Sequence, residues 1–276
     1  MNGKVRIGSL LLLVLLVTAV FAPALAPHDP DQQDILNSLT PPAWQQGGDP
    51  SYPLGTDSLG RCILSQIIFG TRTALTVAFA AATGSMVMGC LLALIAGYAG
   101  GATDWAVTRL VDLWMSFPPV VLSLLLMVGL GTGIRNVILA IVLVDWTRFC
   151  RVVRAEVLVT RRRDYVTAAR LLGFSHARTI LREILPAAMP LIVTLFSLEM
   201  GIAVIVEATL SFIGLSVGAD VPAWGVMIAD GRGTVHQAPW ALIAPMIAIF
   251  LAIAAFNFLG DGLRAAMDPR LRTSRT

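Results

Sequence analysis

Long apolar runs separated by short polar stretches make up most of this sequence. A run of about 20 residues with almost no charge predicts a membrane-spanning helix, because that length crosses the hydrocarbon layer of a bilayer. Six such spans are predicted, at residues 7–26, 74–97, 107–130, 137–150, 187–215 and 241–263. The expected fold is therefore all-α, a polytopic membrane protein with six transmembrane helices.

Composition agrees with this pattern. The 276 residues are 56% hydrophobic and only 13% charged. A soluble domain of this length needs more polar residues to cover its surface. The chain is therefore expected to lie in a membrane.

The positive charges are distributed unevenly between the two sides. Nine of the twenty lysines and arginines fall within residues 148–186, and such segments stay on the cytoplasmic side. With six spans, both termini then lie on that side too. Sixteen lysines and arginines fall on the cytoplasmic side and four on the other, as the positive-inside rule expects.

The first span also has features of a signal peptide. Lys4 and Arg6 precede an apolar run that ends in Ala24, Leu25 and Ala26. The run is longer than usual for a signal peptide, and a proline follows it at once. We therefore expect an uncleaved membrane anchor.

Several kinds of chemistry have no support in the residues. The three cysteines and three histidines lie far apart without metal-binding spacing, so no metal site is predicted. Lys4 is the single lysine, which excludes a P-loop for ATP. No catalytic residue and no cofactor bound by this chain are predicted; if transport is ATP-driven, another chain hydrolyses the nucleotide.

Residues 164–186, called the elbow below, predict two short helices. Residues 168–172 favour a helix, Gly173 can adopt the left-handed conformation that ends it, and Ser175 can cap the next one. Pro186 is expected to stop that second helix and to force Leu185 out of helical angles.

The elbow has the composition of a docking surface. Ala168, Ala169 and Gly173 permit close backbone approach, while Leu171, Leu172 and Phe174 offer apolar side chains to a partner's groove. The neighbouring Arg161, Arg162 and Arg163 are better explained as residues that face lipid headgroups.

The elbow resembles the EAA loop of ABC importer permeases. That pattern is Glu-Ala-Ala, three residues, Gly, nine residues, Ile, any residue, Leu-Pro, and the spacing here is the same throughout. Thr167 stands in place of the Glu and Glu183 in place of the Ile. The resemblance implies that the elbow contacts an ATPase through the following residues: Thr167, Ala168, Ala169, Leu171, Leu172, Gly173, Phe174, Ser175, Leu185 and Pro186.

A second stretch, residues 54–72, resembles the dipeptide, oligopeptide and nickel permease group. It reads LGTDSLGRC, where Cys62 replaces a usual Asp, and Gln66 replaces a common Arg. Further similar stretches are Phe117-Pro118, residues 207–214, Trp224-Gly225, and residues 260–264 leading to Asp268-Pro269.

This resemblance implies a type I ABC importer permease in the bacterial inner membrane. Expected partners are a second permease subunit, two ATP-binding subunits that use ATP and Mg, and a solute-binding protein; nucleic acid is not expected. Residues 1–72 are predicted to form an anchor and a periplasmic segment, and residues 73–276 a permease core with a coupling loop at 149–186. Short peptides are the first expected solute and nickel is the alternative.

Acidic residues inside spans are candidates for the translocation path, because charge at bilayer depth is costly. Asp112 and Asp145 each have an arginine three residues away, which predicts a local ion pair. Glu199 and Glu207 lack such neighbours. Both are expected to face the bundle interior, either lining the path or hydrogen bonding between helices.

Two groups of prolines and tryptophans allow more than one interpretation. Pro118 and Pro119 can kink the third span toward a cavity, although packing explains them equally well. In the outer loop, residues 216–240, Trp224 and Trp240 are expected to anchor at the membrane interface; a binding protein could also dock there.

Two functions of other classes have less support in the sequence. Residues 214–218 fit G-x-S-x-G, but they end a long apolar helix and lack the strand, His and acid of a serine hydrolase. A proton-coupled secondary transporter could use Glu199 or Glu207, yet no inverted repeat supports it.

Overall fold

The computed structural model describes residues 3–218 and 221–267, and the described residues form helices joined by loops. Each predicted apolar run lies in one or two of these helices. The helices are α1 Gly3–Val20, α2 Ala22–Leu25, α3 Ile63–Ala99, α4 Gly101–Met115, α5 Pro119–Leu130, α6 Ile134–Thr160, α7 Asp164–Leu171, α8 His176–Thr179, α9 Leu185–Phe212, α10 Trp224–Arg232 and α11 Pro239–Met267. Asp268 and Pro269 lie outside the described residues.

Three helical segments are long and apolar enough to cross a membrane by themselves. They are Ile63–Ala99, His176–Phe212 and Pro239–Arg264, and the pair α4 and α5 makes a fourth if it counts as one span. Among the described residues, the apolar part of α1, Val5–Val20, is too short to count as a span by length. α6 is long enough but carries too many charged residues to count by composition. All-helical architecture is thus observed, with three or four spans by length and composition.

The third predicted span is broken in its middle. α4 and α5 meet at an angle of 87°, and Pro118 and Pro119 lie at the break, so the predicted kink is confirmed and is sharper than a bend within one helix. The pair still connects the two ends of the bundle. Gly100 lies next to Arg161 beside the elbow, and Gly133 N–H donates to Ser216 O beyond α9, at 2.7 Å.

α6 is longer than its predicted span. It continues to Thr160, so the arginines at 148, 151 and 154 lie on a helix and not in a loop. The predicted loop at 149–186 therefore begins inside α6. Because a helix fixes the direction in which each side chain leaves the backbone, each of these arginines can reach a specific partner.

Small residues allow α3 and α6 to pack closely. Ala78, Ala82, Ser85 and Gly89 on α3 are all buried. A Cβ placed on Gly89 lies 2.5 Å from Phe149 Cβ and 3.0 Å from Cys150 N, which is closer than side chains tolerate. Close backbone approach of this kind is the usual basis of helix association in membranes.

Two groups of buried apolar residues stabilise the bundle. The larger group joins α3, α6, α9, α10 and α11, with α1 packed at its edge against α11. The smaller group lies near the elbow and includes Val153, Val157, Val166 and Ile184. Val166 belongs to α7, so the elbow is attached to the second core and is not a free loop.

The prediction for Pro186 was wrong. The helix that begins at His176 continues to Phe212, and Leu185 has helical angles, φ −58° and ψ −46°. A π turn at Ile180–Ile184 precedes the proline, and Leu185 N–H donates to Ile180 O. The wider turn accommodates a residue that has no N–H and whose ring crowds the preceding turn. The elbow is therefore continuous with α9.

The prediction for the outer tryptophan Trp224 was also wrong. Trp224 is 1% exposed and its Nε1–H donates to Ile67 O at 3.2 Å, while Trp240 Nε1–H donates to Thr56 O at 3.2 Å. Both side chains join α10 and α11 to α3 and to the segment before it. Trp224 is therefore a structural residue inside the protein, whereas Trp240 is only partly buried and its position at the membrane interface stays a prediction.

Candidate functional site

The elbow is a helix, a glycine turn and a second helix. α7 ends at Leu171, Gly173 has φ +82°, and Ser175 Oγ accepts from the backbone N–H of Arg178 at 3.3 Å. These observations confirm the predicted helix stop and the predicted N-cap. A left-handed φ is easy for glycine and costly for other residues, so the turn depends on Gly173.

One face of the elbow is apolar and uncovered. Leu171 is 85% exposed and Leu172 is 78% exposed. Thr167 and Ala168 are also exposed, whereas Ala169 is buried against the bundle. Phe174 is half-buried, and the Arg178 guanidinium lies over its ring, 4.1 Å from the centroid. Two adjacent exposed leucines on an anchored helix form a surface suited to a protein partner.

Glu199 has an arginine partner that the sequence did not reveal. Arg148 Nη1 lies 3.0 Å from Glu199 Oε2 and its Nη2 lies 3.5 Å from Asp145 Oδ1. Glu199 has no arginine three residues away, as the sequence showed; its partner is on α6, 51 positions earlier in the chain. The predicted pair between Asp145 and Arg148 is confirmed.

Glu199 is buried as expected, with 1% of its surface exposed, and its Oε1 has no hydrogen-bond partner among the described residues. Asp145 is 4% exposed. One guanidinium thus serves two buried carboxyl groups. Removal of a charge from such a cluster is costly, since the remaining charge is left in a medium of low dielectric constant.

Glu207 is satisfied by hydroxyl groups. Ser211 Oγ–H donates to Glu207 Oε1 at 2.5 Å and Ser216 Oγ–H donates to the same atom at 3.3 Å. Glu207 is 1% exposed and Ser216 is fully buried. The G-x-S-x-G serine is thus a hydrogen-bond donor to a buried acid beneath the loop that follows α9.

Asp112 and Pro118 lie near the break in the third span. Asp112 Oδ1 is 2.8 Å from Arg151 Nη2, while the predicted partner Arg109 is 4.0 Å from Asp112 Oδ2. The local pair is present, but the closer partner is on α6. Beside the break is a cavity of about 60 Å³, which is lined by Trp114, Met115, Phe117, Pro119, Val144, Asp145, Thr147 and Arg148.

A further ion pair joins α4 to α6 close to the elbow. Arg154 Nε donates to Asp104 Oδ1 at 2.5 Å and its Nη2 donates to Oδ2 at 2.6 Å. Because both carboxylate oxygens are engaged, the pair fixes the direction of α4 as well as its position.

The LGTDSLGR stretch forms a network at the opposite end of the bundle. Asp57 Oδ1 accepts from the N–H groups of Leu59 and Arg61, each at 2.9 Å. Arg61 then joins Asp57 at 2.6 Å and Asp230 of α10 at 2.8 Å. Burial lowers the pKa of Arg61, but the two carboxylates outweigh burial and raise it. The motif thus connects the segment before α3 to α10.

Sequence reasoning missed the contacts around the end of α3. Arg161 was expected to face headgroups, but it donates to Gly97 O at 2.8 Å and Tyr98 O at 3.3 Å. Tyr98 and His176 also lie side by side there, with their polar atoms 2.9 Å apart. A single sequence contains no spacing pattern that connects residues so far apart. The one available signal is that the segment after α6 is basic, since cationic side chains interact favourably with helix C-termini.

Comparison with known protein families identifies the family of this chain. The family described as binding-protein-dependent transport system inner membrane component matches residues 89–273, which include α4 to α11 and the whole elbow. The chain belongs to this family of ABC importer permeases. A second family, described as the N-terminal TM domain of oligopeptide transport permease C, matches residues 5–42 of the permease.

Relatives of the permease are named for the transport of different solutes. It is 37% identical to the di/tripeptide transport system permease protein DppC of Pseudomonas aeruginosa, over 99% of this chain and 90% of the relative. It is 36% identical to the glutathione transport system permease protein GsiD of Pectobacterium atrosepticum, over 96% and 87%. It is also 36% identical to the nickel transport system permease protein NikC of Escherichia coli K12, over 98% and 95%.

These comparisons make the permease an inner membrane protein and a transport subunit. They do not favour the secondary transporter that the buried glutamates suggested. Among the described residues, no group of three or more His, Cys, Asp or Glu side chains could hold a metal ion.

Proposed function

We propose that this permease is one of two membrane subunits of an ATP-driven importer and crosses the membrane six times, with both termini in the cytoplasm. The proposed crossings are α1, α3, the bent pair of α4 and α5, α6, α9 and α11. The excess of arginines in and around the elbow supports its cytoplasmic position. The contacts of Gly100 and Gly133 at opposite ends of the bundle support a crossing by the bent pair.

The proposed role of the elbow is to bind a separate ATPase subunit. The observation that carries this proposal is the exposed pair Leu171 and Leu172 beside the Gly173 turn, on a helix whose Val166 and Ala169 are buried in the bundle. Such a helix offers apolar side chains to a groove without moving independently of the protein. ATP and Mg belong to the partner in this proposal, because the single lysine excludes a P-loop here.

The continuous helix from His176 to Phe212 suggests how coupling works. Movement of the elbow, driven by ATP-dependent closure of two ATPase subunits, is passed directly to α9 because no break separates them. α9 carries Glu199, which is joined to α6 through Arg148. Two packings of these helices, biased by nucleotide, give alternating access by rigid-body movement.

The candidate residues for the translocation path differ in the support they have. Pro118 lies at the break beside the cavity near Asp145 and Arg148, and Glu199 shares the Arg148 guanidinium. Asp112 is partly exposed and paired with Arg151. Glu207 is engaged by two serines, which favours a role in packing over contact with solute.

We propose short peptides as the solute, delivered by a separate solute-binding protein to a pair formed with a second permease subunit. The name of the di/tripeptide relative supports this choice, and the nickel relative makes nickel the alternative. Residues 1–72 are proposed as anchor and periplasmic segment and residues 73–276 as the permease core, with coupling in residues 149–186.

Gly173→Asp tests the coupling proposal. Among the residues that the structure describes, nothing lies within 4 Å of a Cβ at Gly173, so the new side chain is expected to project toward a partner. We expect at least a tenfold loss of ATP-dependent peptide uptake, since a buried carboxylate without a partner costs well over about 1.4 kcal/mol. Membrane insertion is expected to be unchanged, as measured by the amount of protein in washed membranes.

Gly101→Asp is the matched control. Gly101 also has positive φ, +57°, and open space around its Cβ, but it lies at the start of α4 outside the elbow. Backbone strain of about 1–2 kcal/mol is common to both variants. Wild-type uptake by the Gly173 variant, or an equal loss in both, contradicts the coupling role.

A further inference from the structure

The side chain of Tyr98, near the C-terminal end of α3, contacts both helices of the elbow. The Tyr98 hydroxyl is 2.9 Å from His176 Nδ1, at the start of α8. The guanidinium of Arg170, in the last turn of α7, lies over the Tyr98 ring, with Cζ 4.7 Å from the centroid. The rings of Tyr98 and His176 meet edge to face, with centroids 5.6 Å apart. One side chain of α3 is therefore held by both parts of the elbow.

These contacts differ from those that fix the same helix end to α6. Arg161, just after α6, donates to the carbonyl oxygens of Gly97 and Tyr98, which are among the groups that a helix C-terminus leaves unpaired. These hydrogen bonds involve only the backbone of α3. The Tyr98 side chain can therefore be changed while the support from α6 remains.

The contacts of Tyr98 with His176 and Arg170 are suited to transmitting movement of the elbow to α3. A hydrogen bond and a cation–π contact are directional, and together they restrain the Tyr98 side chain relative to both helices of the elbow. Ring and hydroxyl both lie at the rim of the elbow, where Tyr98 is half-buried and His176 is exposed. If α7 and α8 move together, Tyr98 moves with them.

We infer that Tyr98 is a positioning residue that delivers the movement of the elbow to α3. This inference rests on the proposed binding of an ATPase by the elbow. α9 receives the movement through the chain itself, because α8 continues into it. α3 receives it through Tyr98, so two membrane helices move together and the α3–α9 packing between them is preserved.

The first test compares transport with ATP hydrolysis in the complete importer reconstituted into vesicles with its binding protein. Tyr98→Leu removes the ring and the hydroxyl. We expect solute moved per ATP hydrolysed to fall by about fivefold or more, the lower range of allosteric coupling, while ATP hydrolysis persists. Tyr98→Phe keeps the ring over Arg170 and loses the hydrogen bond to His176, so an intermediate ratio is expected.

Trp105→Leu is the matched control. Trp105 is an exposed aromatic residue of α4, and the Cζ atom of Arg109 lies 5.9 Å from the centroid of its ring. In the described contacts, Trp105 does not touch the elbow. Its ratio of transport to hydrolysis is expected to equal that of the wild type. If the ratio is unchanged in Tyr98→Leu, or if transport and hydrolysis fall in proportion, the inference is wrong.

The second test follows α3 itself. A spin label on Ala99→Cys, an exposed position at the end of α3, is expected to change its mobility when nucleotide binds the wild-type complex. The same label is expected to respond less in the Tyr98→Leu background. No nucleotide response in the otherwise wild-type complex overturns the inference. A complex that has no ATP-dependent uptake at all refutes the proposed function instead.

Discussion

Arg148 is the residue on which the buried charges depend. Its guanidinium lies 3.0 Å from Glu199 and 3.5 Å from Asp145, and both acids are almost completely buried. Arg148 itself is about a third exposed, at 36%, so it connects the buried acids to the cavity beside the broken span. A sequence places Arg148 near Asp145, three positions away, but it contains nothing that connects Arg148 to Glu199.

Arg148→Met is expected to lower the free energy of unfolding by about 3–5 kcal/mol, because it leaves buried carboxylates without a cation. The double variant with Glu199→Met is expected to recover part of this loss, since an apolar pair of similar size replaces the charges. Thermal unfolding of the purified permease in detergent measures both changes.

Arg109→Met is the control at this scale. Arg109 lies 4.0 Å from Asp112, and both side chains are well exposed, so its removal is expected to change stability by less than about 1 kcal/mol. Equal losses from the two single arginine variants would show that Arg148 acts as an ordinary surface charge.

At the scale of elements, the sequence predicted the elbow better than the helices that enter and leave it. Gly173 and Ser175 have local roles, a left-handed turn and an N-cap, and local roles can be recognised from residue type. Pro186 does not have a fixed role, because its effect depends on whether the preceding turn is α or π. The length of α6 was underestimated for a related reason: arginines end an apolar run without ending a helix.

Pro186→Ala tests the effect of the π turn. A proline inside a regular helix costs about 3 kcal/mol or more; after the π turn at Ile180–Ile184, we expect its replacement to change the free energy of unfolding by less than about 1 kcal/mol. Pro245→Ala, inside the uninterrupted helix α11, is expected to stabilise more. A larger gain at position 186 than at position 245, in chemical denaturation, contradicts this explanation.

At the scale of the whole molecule, the chain is a bundle with two different ends. The elbow and the ion pair of Asp104 with Arg154 lie at one end, and the Asp57, Arg61 and Asp230 network lies at the other. The apolar runs predicted this layout because their lengths are set by the bilayer. The packing partners, the break angle and the positions of Trp224 and Trp240 depend on contacts between distant segments, which hydropathy does not encode.

Single cysteines can test the proposed orientation. The natural Cys62, Cys90 and Cys150 are all buried, so background labelling is expected to be low. We expect an impermeant maleimide to label Gln46→Cys in intact spheroplasts and to label Arg162→Cys only after the membrane is opened; both positions are exposed. Labelling of both in intact spheroplasts contradicts six crossings with a cytoplasmic elbow.

α3 is one unbroken helix of 37 residues, about 55 Å long at 1.5 Å per residue. It begins directly after the Arg61 network and ends at Ala99, next to Tyr98, so the contacts at both ends of the bundle act on the same rigid helix. Thermodynamic linkage is reciprocal. If binding of the solute-binding protein shifts α3, it changes the affinity for nucleotide by the same factor by which nucleotide changes the affinity for the solute-binding protein. In the proposed importer, ATP hydrolysis is therefore expected to be slower when no solute-binding protein is docked, without a separate inhibitor.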